Sequence, residues 1–384
     1  MAVRYSVGII GGGQLARMMH QAAISLGIDV HLFAEADGVS AAQVVPDAFV
    51  GDYTDLADLE RFAERCQVIT FDHEHVPTKH LRALDVEARP GPDALQYAQD
   101  KASMRQRMSE LDVPCPAYVV CDSAADAVAF GEQQGWPIIL KTSRGGYDGK
   151  GVWKIDAPDE VAQVFANKPE VSAGEPVRIV AEEFIDFTRE LSAIVVRSQS
   201  GQVVAYPISE TVQRDGICVE TTTPAPGLDE ERAAQLQSMA IRIASELGVV
   251  GVLAVELMEV PDGRIVVNEL AMRPHNTGHW TIDGAVTSQF DNHIRAVLDL
   301  PLGAPDMTAP VVVMANVLGG SEDDLTGALQ HVYARDRHAH AHLYGKDVRP
   351  GRKVGHITCT GDDVDDVRRR ARHAANYMMG VGDE

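Results

Sequence analysis

The stretch Gly251-Val-Leu-Ala-Val-Glu256-Leu-Met-Glu-Val260-Pro-Asp-Gly-Arg-Ile265-Val-Val-Asn-Glu269-Leu270 reads as two apolar, β-branched runs around an Asp-Gly turn. That pattern is a strong short-range signal for a β-hairpin. If Val260 faces Ile265, each step away from the turn pairs the next residue on both strands, and Glu256 falls opposite Glu269 on one face. Like charges directly opposite each other are destabilising, and an unpaired charge in an apolar strand is costly. A divalent cation removes the conflict. Oxygen ligands with no His or Cys beside them in the chain suit Mg²⁺, which usually accompanies nucleotide phosphates. The alternative is an ordinary hairpin in which one glutamate faces solvent or a basic residue, and a bulge would send the two acids to opposite faces. In the simple register Asn268 points away from the pair.

Outward from this hairpin, a short strand signal over 138–141 ends at Lys141 and leads into Gly145-Gly-Tyr-Asp-Gly-Lys-Gly151. Four glycines in seven residues let backbone N–H groups approach phosphate, and the lysines supply charge. Arg144 and Gly151 break the Walker A pattern, so the alternative is an exposed hairpin tip. At the amino terminus, a strand over 3–10 runs into Gly11-x-Gly13-x-x-Ala16 and a helix over 14–26, with Glu35 ending the next strand. This suits a dinucleotide or another anion, such as a sugar phosphate, at the helix N-terminus. Phe71-Asp-His-Glu-His75 follows a strand and reads, taken alone, as a polar loop, the alternative being that its acids touch a ligand at the carboxyl edge of that sheet. Lys346, Arg349, Arg352 and Lys353 gather four cations, as a solvated turn or a phosphate clamp. Alternation of His338, His340 and His342 favours a polar strand face over a metal edge, and Arg368-Arg-Arg370 reads as a solvated helix face.

The whole chain has 384 residues, 45% hydrophobic and 23% charged, which predicts two or three globular domains. Alternating strands and helices over 1–98 predict an open parallel sheet; 99–302 reads as an α+β unit and 303–384 as a smaller third part. The formal charge of −22 argues against a nucleic-acid partner. No apolar run is long enough for a membrane span, and the start carries no signal-peptide core. Five scattered cysteines without a C-x-x-C read as reduced thiols in a cytoplasmic protein.

Several segments, in order, carry a resemblance: Phe71-Asp-His-Glu-His-Val76, Asp100-Lys101, the 145–151 loop, Glu182-Glu-Phe-Ile185 with Glu190, Asn268-Glu269, Arg273-Pro-His-Asn-Thr-Gly-His-Trp280 and Arg349-Pro-Gly-Arg-Lys-Val-Gly-His356. Together they resemble the N5-carboxyaminoimidazole ribonucleotide synthetases, ATP-grasp ligases of purine biosynthesis, over nearly the whole chain. The resemblance implies an ATP-grasp fold over 99–302, with a lid at about 118–180, between a Rossmann-like pre-ATP-grasp domain (1–98) and a small C-terminal domain (303–384). It implies phosphorylation of bicarbonate by ATP to carboxyphosphate. The carboxyl then passes, as carboxyphosphate or CO₂, to the exocyclic amine of 5-aminoimidazole ribonucleotide.

Residue by residue, the resemblance implies ATP contacts from Lys101, Lys141, the lid loop Gly146, Tyr147, Asp148, Gly149, Lys150, Gly151 and Val152, the adenine hinge Glu182, Glu183, Phe184 and Ile185, Glu190 for the ribose, and Gln213, Asn268 and Glu269. Glu256 and Glu269 match Mg²⁺ ligands, in agreement with the hairpin register. Arg273, His275, Tyr147 and Asp148 match catalytic positions, and Gly13, Gln14, Glu74, Asn276, Lys346 and Arg352 match substrate positions. A homodimer is also implied. The rivals are another ATP-grasp carboxylase or transformylase, an NAD-dependent oxidoreductase using Gly11 to Ala16, and a silent ATP-binding regulator.

Overall fold

The structure, a computed structural model, describes residues 5–146, 150–172 and 174–382. The lid positions Tyr147, Asp148 and Gly149 lie outside the described residues. Near the amino terminus, four strands form the expected parallel sheet in the order Ala48–Val50, Asp29–Ala34, Ser6–Ile10, Val68–Phe71. Val7, Ile9, Ile10, Leu32, Phe33 and Phe71 are buried, which is why these runs are apolar on both faces. Helix Gln14–Leu26 leaves the carboxyl edge of Ser6–Ile10 and ends on Gly27, whose positive φ of 67° closes the helix.

A second, antiparallel sheet is built from Tyr118–Cys121, Ile179–Glu183, Ile138–Thr142 and Val152–Ile155, around its own core of Phe130, Leu140 and Ile179. This sheet carries the glycine loop between its last two strands. The largest sheet has nine strands and runs Ile265–Ala271, Gly251–Glu259, Arg189–Arg197, Ser209–Arg214, Ile217–Thr223, Val311–Leu318, Lys353–Gly361, His340–Leu343, with Val203–Ala205 beside Arg189–Arg197. The chain passes residue 303 without leaving it, because Val311–Leu318 pairs directly with Ile217–Thr223. Of the alternating histidines, His340 and His342 lie on strand His340–Leu343 and both reach Asp283, at 3.3 and 2.8 Å, whereas His338 falls in the turn before it. Among the described residues no helix is long and apolar enough to cross a membrane.

One apolar cluster joins the parallel sheet to the large one, from Ile10 and Phe33 through Met104 to Leu253 and Val255. The two are also pinned by His293, fully buried on helix Gln289–Val297. The Val252 amide donates to its Nδ1 (3.1 Å), so the proton sits on Nε2, which donates to Thr70 Oγ1 (2.7 Å). Burial lowers the pKa of this imidazole to about 3. The unfolded chain therefore binds one more proton here between about pH 6.5 and pH 3, and His293 contributes stability that is lost as pH falls through that window. Thermal unfolding followed between pH 7 and 4 should show a shallower acid loss of Tm in His293→Gln than in the parent. Parallel slopes would show that His293 is not the group titrating.

Candidate functional site

The hairpin departs from the simple register next to its turn. Glu259 pairs with Ile265, Met258 with Val266 and Leu257 with Val267, one residue off the expected pairing. Continued unchanged, that ladder would set Glu256 against Asn268. A bulge between Leu257 and Glu256 inserts one residue on the partner strand, and Glu256 pairs with Glu269 after all. The expectation that a bulge would separate the acids is thus reversed: the bulge is what aligns them. A bulge sets two successive residues against one, so it also turns Asn268 toward the side that the simple register denied it. Asn268 Oδ1 accepts from Lys141 Nζ at 3.2 Å, and Glu269 Oε1 from Lys101 Nζ at 2.7 Å.

The acids are balanced by cations drawn from three directions. Burial alone would raise the Glu256 carboxyl, but the bond from His275 Nε2 (3.2 Å) and the nearby charges of His275, Arg273 and Lys101 hold it below the ordinary range. His275 is itself fixed through Nδ1 to Thr277 Oγ1 (2.8 Å), which bonds Ser192 Oγ (2.7 Å). Ser192 pairs with Glu256 in the ladder, so strand Arg189–Arg197 supports the same row. Two residues along lies Glu190, on the same face, and burial followed by repulsion from Glu256 pushes it up to about 7. Thr211 pairs with Glu190, and Gln213, past a bulge, bonds the Thr211 hydroxyl at 3.4 Å.

Sequence reasoning missed the fully buried Arg105. Its Nε donates to Glu182 Oε1 at 2.7 Å, and Glu182 Oε2 meets Lys141 Nζ at 2.8 Å. Burial opposes ionisation of Glu182, yet the two cations hold it down to about 2. The Glu182 side chain therefore faces away from the hinge expected of residues 182–185. At that hinge Phe184 is exposed, with Lys154 Nζ 5.4 Å from its ring centre. No local pattern marks Arg105, because its partners are 77 and 162 residues away. Asp100 caps helix Lys101–Glu110 through Ser103 N and pairs with Arg144 Nε at 2.8 Å, tying the lid loop to the helix that carries Lys101. In that loop Gly151 has φ of 71°, and a Cβ there would meet Thr142 Oγ1 at 2.5 Å.

Across the cleft, Glu74 accepts from Met272 N (2.7 Å) and Arg273 Nε (3.1 Å), fixing the guanidinium beside the acids. The expected glycine turn is already engaged. Gly12 N donates to Glu35 (3.0 Å), while Gly13 N and Ala16 N donate to the two oxygens of Asp72 (3.0 and 2.7 Å). Gln14 instead turns its side chain to Lys346, which lies near Arg352 and Lys353 and is depressed mainly by burial. The side-chain amide of Asn276, a residue 8% exposed, has no oxygen or nitrogen partner among the described residues and meets the weak Cys218 thiol. Gln14, Glu74, Lys101, Gly146, Glu256, Glu269, Arg273, His275 and Asn276 line one cleft of about 300 Å³, together with Lys353, which sequence reasoning had left in a generic basic cluster. Arg352 stands further out, 3.3 Å from Asp347 O. Among the described residues no group of three or more His, Cys, Asp or Glu is set for a metal. A nucleotide site needs none, since phosphates and waters complete the shell around one or two carboxylates. Glu256 and Glu269, with Asn268 Oδ1 close by, offer the oxygen donors that suit a hard divalent ion.

Comparison with known proteins bears out the expected fold and family. A model of the ATP-grasp domain matches residues 106–290, one of the ribonucleotide synthetase preATP-grasp domain residues 4–99, and one of the phosphoribosylaminoimidazole carboxylase C-terminal domain residues 312–370. The N5-carboxyaminoimidazole ribonucleotide synthase of Mycobacterium tuberculosis is 49% identical over 379 residues, spanning 97% of this chain and 87% of the relative. That of Corynebacterium ammoniagenes is 46% identical over 385 residues, spanning 98% and 92%. Among solved structures, N5-carboxyaminoimidazole synthase from Aspergillus clavatus, in complex with ADP and 5-aminoimidazole ribonucleotide, superposes with a TM-score of 0.88 at 29% identity, covering 99% of this chain and 100% of that one. The synthetase from Thermus thermophilus gives 0.85 at 34% identity, covering 98% and 99%. This chain, an ATP-grasp domain flanked by a preATP-grasp domain and the matching C-terminal domain, belongs to the N5-carboxyaminoimidazole ribonucleotide synthase family.

Proposed function

We propose that the cleft carries out the ATP-dependent carboxylation of 5-aminoimidazole ribonucleotide by bicarbonate, giving N5-carboxyaminoimidazole ribonucleotide, ADP and phosphate. The observation that carries this reading is the pairing of Glu256 with Glu269 in a cleft that also holds Lys101, Arg273 and Lys353. Such a layout offers an acid pair for a divalent cation and separate cationic seats for a polyphosphate and a second anion.

In this reading Lys101 and Lys141 hold the ATP phosphates, with Gly146 and Lys150 to Val152 as the described part of the loop that covers them. The base lies against the 182–185 hinge, the ribose against Glu190, and Gln213 completes the nucleotide contacts. Glu256 and Glu269 offer oxygen donors that would hold Mg²⁺, and a bound ion would supply charge neutralisation to the phosphates during transfer. Arg273, oriented by Glu74, and His275, oriented by Thr277, hold bicarbonate and then the carboxyphosphate oxygens. Lys346 and Arg352, with Gln14, hold the ribonucleotide phosphate, and Asn276 offers both halves of its unpaired amide to the substrate. A bicarbonate oxygen bonds to the γ-phosphorus as the bond to ADP breaks; the amine nitrogen then bonds to the carboxyl carbon, the carbon–oxygen bond to phosphate breaks, and the departing phosphate takes the amine proton. Positioning and fixed charge supply most of the rate in such transfers. Five unpaired thiols fit a cytoplasmic setting, and the family resemblance supports a homodimer.

ADP release should require bicarbonate, Mg²⁺ and the ribonucleotide together; release indifferent to the ribonucleotide would sink the substrate assignment. Glu269→Gln should fold with an unchanged Tm while kcat falls at least ~10²-fold, since it deletes a ligand charge at nearly constant volume. Unaltered kinetics would remove Glu269 from the metal pair. Lys346→Ala should lose a charge-assisted contact of roughly 1.5–3 kcal/mol, raising KM for the ribonucleotide about 10- to 100-fold and leaving that for ATP in place. The opposite pattern would refute the phosphate clamp.

A further inference from the structure

We propose that Arg105 is a positioning residue for the metal pair: its buried guanidinium clamps the β-bulge at Val267 and Asn268 and thereby sets Glu269 across from Glu256. The inference rests on the reading of those two glutamates as the metal pair, and it adds the device that brings them together.

Three observations converge on it. First, the ladder leaving the turn is in the wrong register, so the inserted residue is required for Glu269 to face Glu256 at all. Second, a bulge takes backbone groups out of the ladder, and buried carbonyls must find donors elsewhere. Arg105 supplies them: Nη1 donates to Val267 O at 3.0 Å and Nη2 to Asn268 O at 2.8 Å. Third, the remaining Nε is anchored on Glu182, whose other oxygen holds Lys141, and Lys141 bonds the Asn268 side chain. Asn268 is therefore gripped at its main-chain oxygen and at its side-chain oxygen by two cations sharing one acid.

The residue type matters. A guanidinium presents a rigid fork that spans two successive carbonyls while a third N–H bonds a carboxylate; a lysine ammonium is a single point on a flexible stem. Burying such a charge contributes little net stability even when it is fully paired. Its use at this position is to hold geometry. Mg²⁺ demands near-ideal octahedral placement at about 2.0–2.1 Å, whereas Ca²⁺ accepts looser and longer coordination. A loosened bulge should therefore penalise Mg²⁺ more than Ca²⁺.

The test is Arg105→Lys, which keeps a positive charge beside Glu182 and removes the fork. ADP binding would be titrated calorimetrically against Mg²⁺ and, separately, Ca²⁺, and amide hydrogen exchange followed in the ligand-free protein. The expected result is a rise of about 10-fold or more in the Mg²⁺ concentration for half-maximal ADP binding, a smaller rise for Ca²⁺, and faster exchange confined to Ile265–Ala271. A variant that loses Tm but keeps the parent's Mg²⁺ requirement and exchange pattern would overturn the proposal, leaving Arg105 a structural residue only. Should the variant not fold, the parent decides: separate, slowly exchanging Nη proton signals for Arg105 are expected, and one averaged signal would overturn the clamp. Failure of the metal reading itself looks different, because the parent would then bind ADP with no dependence on either cation.

Discussion

Two carboxylates of like charge face each other across a pair of strands in a recessed cleft, and the rest of the site is organised around that repulsion. Each acid there has a cation of its own: Lys101 for Glu269, His275 for Glu256, Lys141 and Arg105 for Glu182, Arg273 for Glu74, Arg144 for Asp100. On the proposed reading, several of these cations are the groups that bind the reactants. Loading the site is then an exchange of partners. On that reading Glu269 would exchange Lys101 for a metal ion, and Lys101 would exchange Glu269 for phosphate oxygens. Neither side chain is then left without an opposite charge.

An exchange of this kind demands that the walls hold still, and the walls come from distant parts of the chain. Glu74, just after the parallel sheet, orients Arg273 at the end of a strand in the large sheet. Gln14, at the start of the first helix, meets Lys346 from the carboxyl-terminal part. Ser40 Oγ and Gln43 Nε2 donate to the carbonyls of Tyr344 and Gly345, both at 2.6 Å, so the loop bearing Lys346 is strapped to the amino-terminal unit by its own backbone. His293 supplies the same service deeper in the core. The Lys346 side of the cleft is thus a joint between units, held by these few polar ties within apolar packing.

The parallel sheet, the hairpin and the acid pair were legible because periodicity and turn chemistry are local. The pairing of Glu256 with Glu269 followed from an idealised two-residue loop, although the loop is longer and a bulge compensates. That compensation leaves no trace in periodicity, since one inserted residue looks like any other strand residue. Arg105 was illegible for a related reason: a buried arginine on a helix is indistinguishable in sequence from a solvated one until its partners are known. Motif resemblance assigned residues 182–185 to one hinge, yet Glu182 turns its side chain inward to Arg105 and Lys141. A motif identifies the segment and leaves open which way each side chain faces.

The amino-terminal glycines make the same point about function. Gly11-x-Gly13-x-x-Ala16 after a strand suggests a pyrophosphate resting on a helix N-terminus. Here that seat is filled by the chain itself, because Asp72 accepts from Gly13 N and Ala16 N. A Cβ on residue 13 would meet Asp72 Oδ2 at 2.2 Å, so the close approach of an internal carboxylate accounts for that glycine without any dinucleotide. Burial raises the Asp72 pKa despite the neighbouring His73 and Arg273, and its charge in turn raises that of Arg273 and acts on Lys346. The helix terminus therefore anchors an acid that organises cations, and on the proposed reading the ribonucleotide phosphate is left to Lys346 and Arg352, with Gln14 beside them.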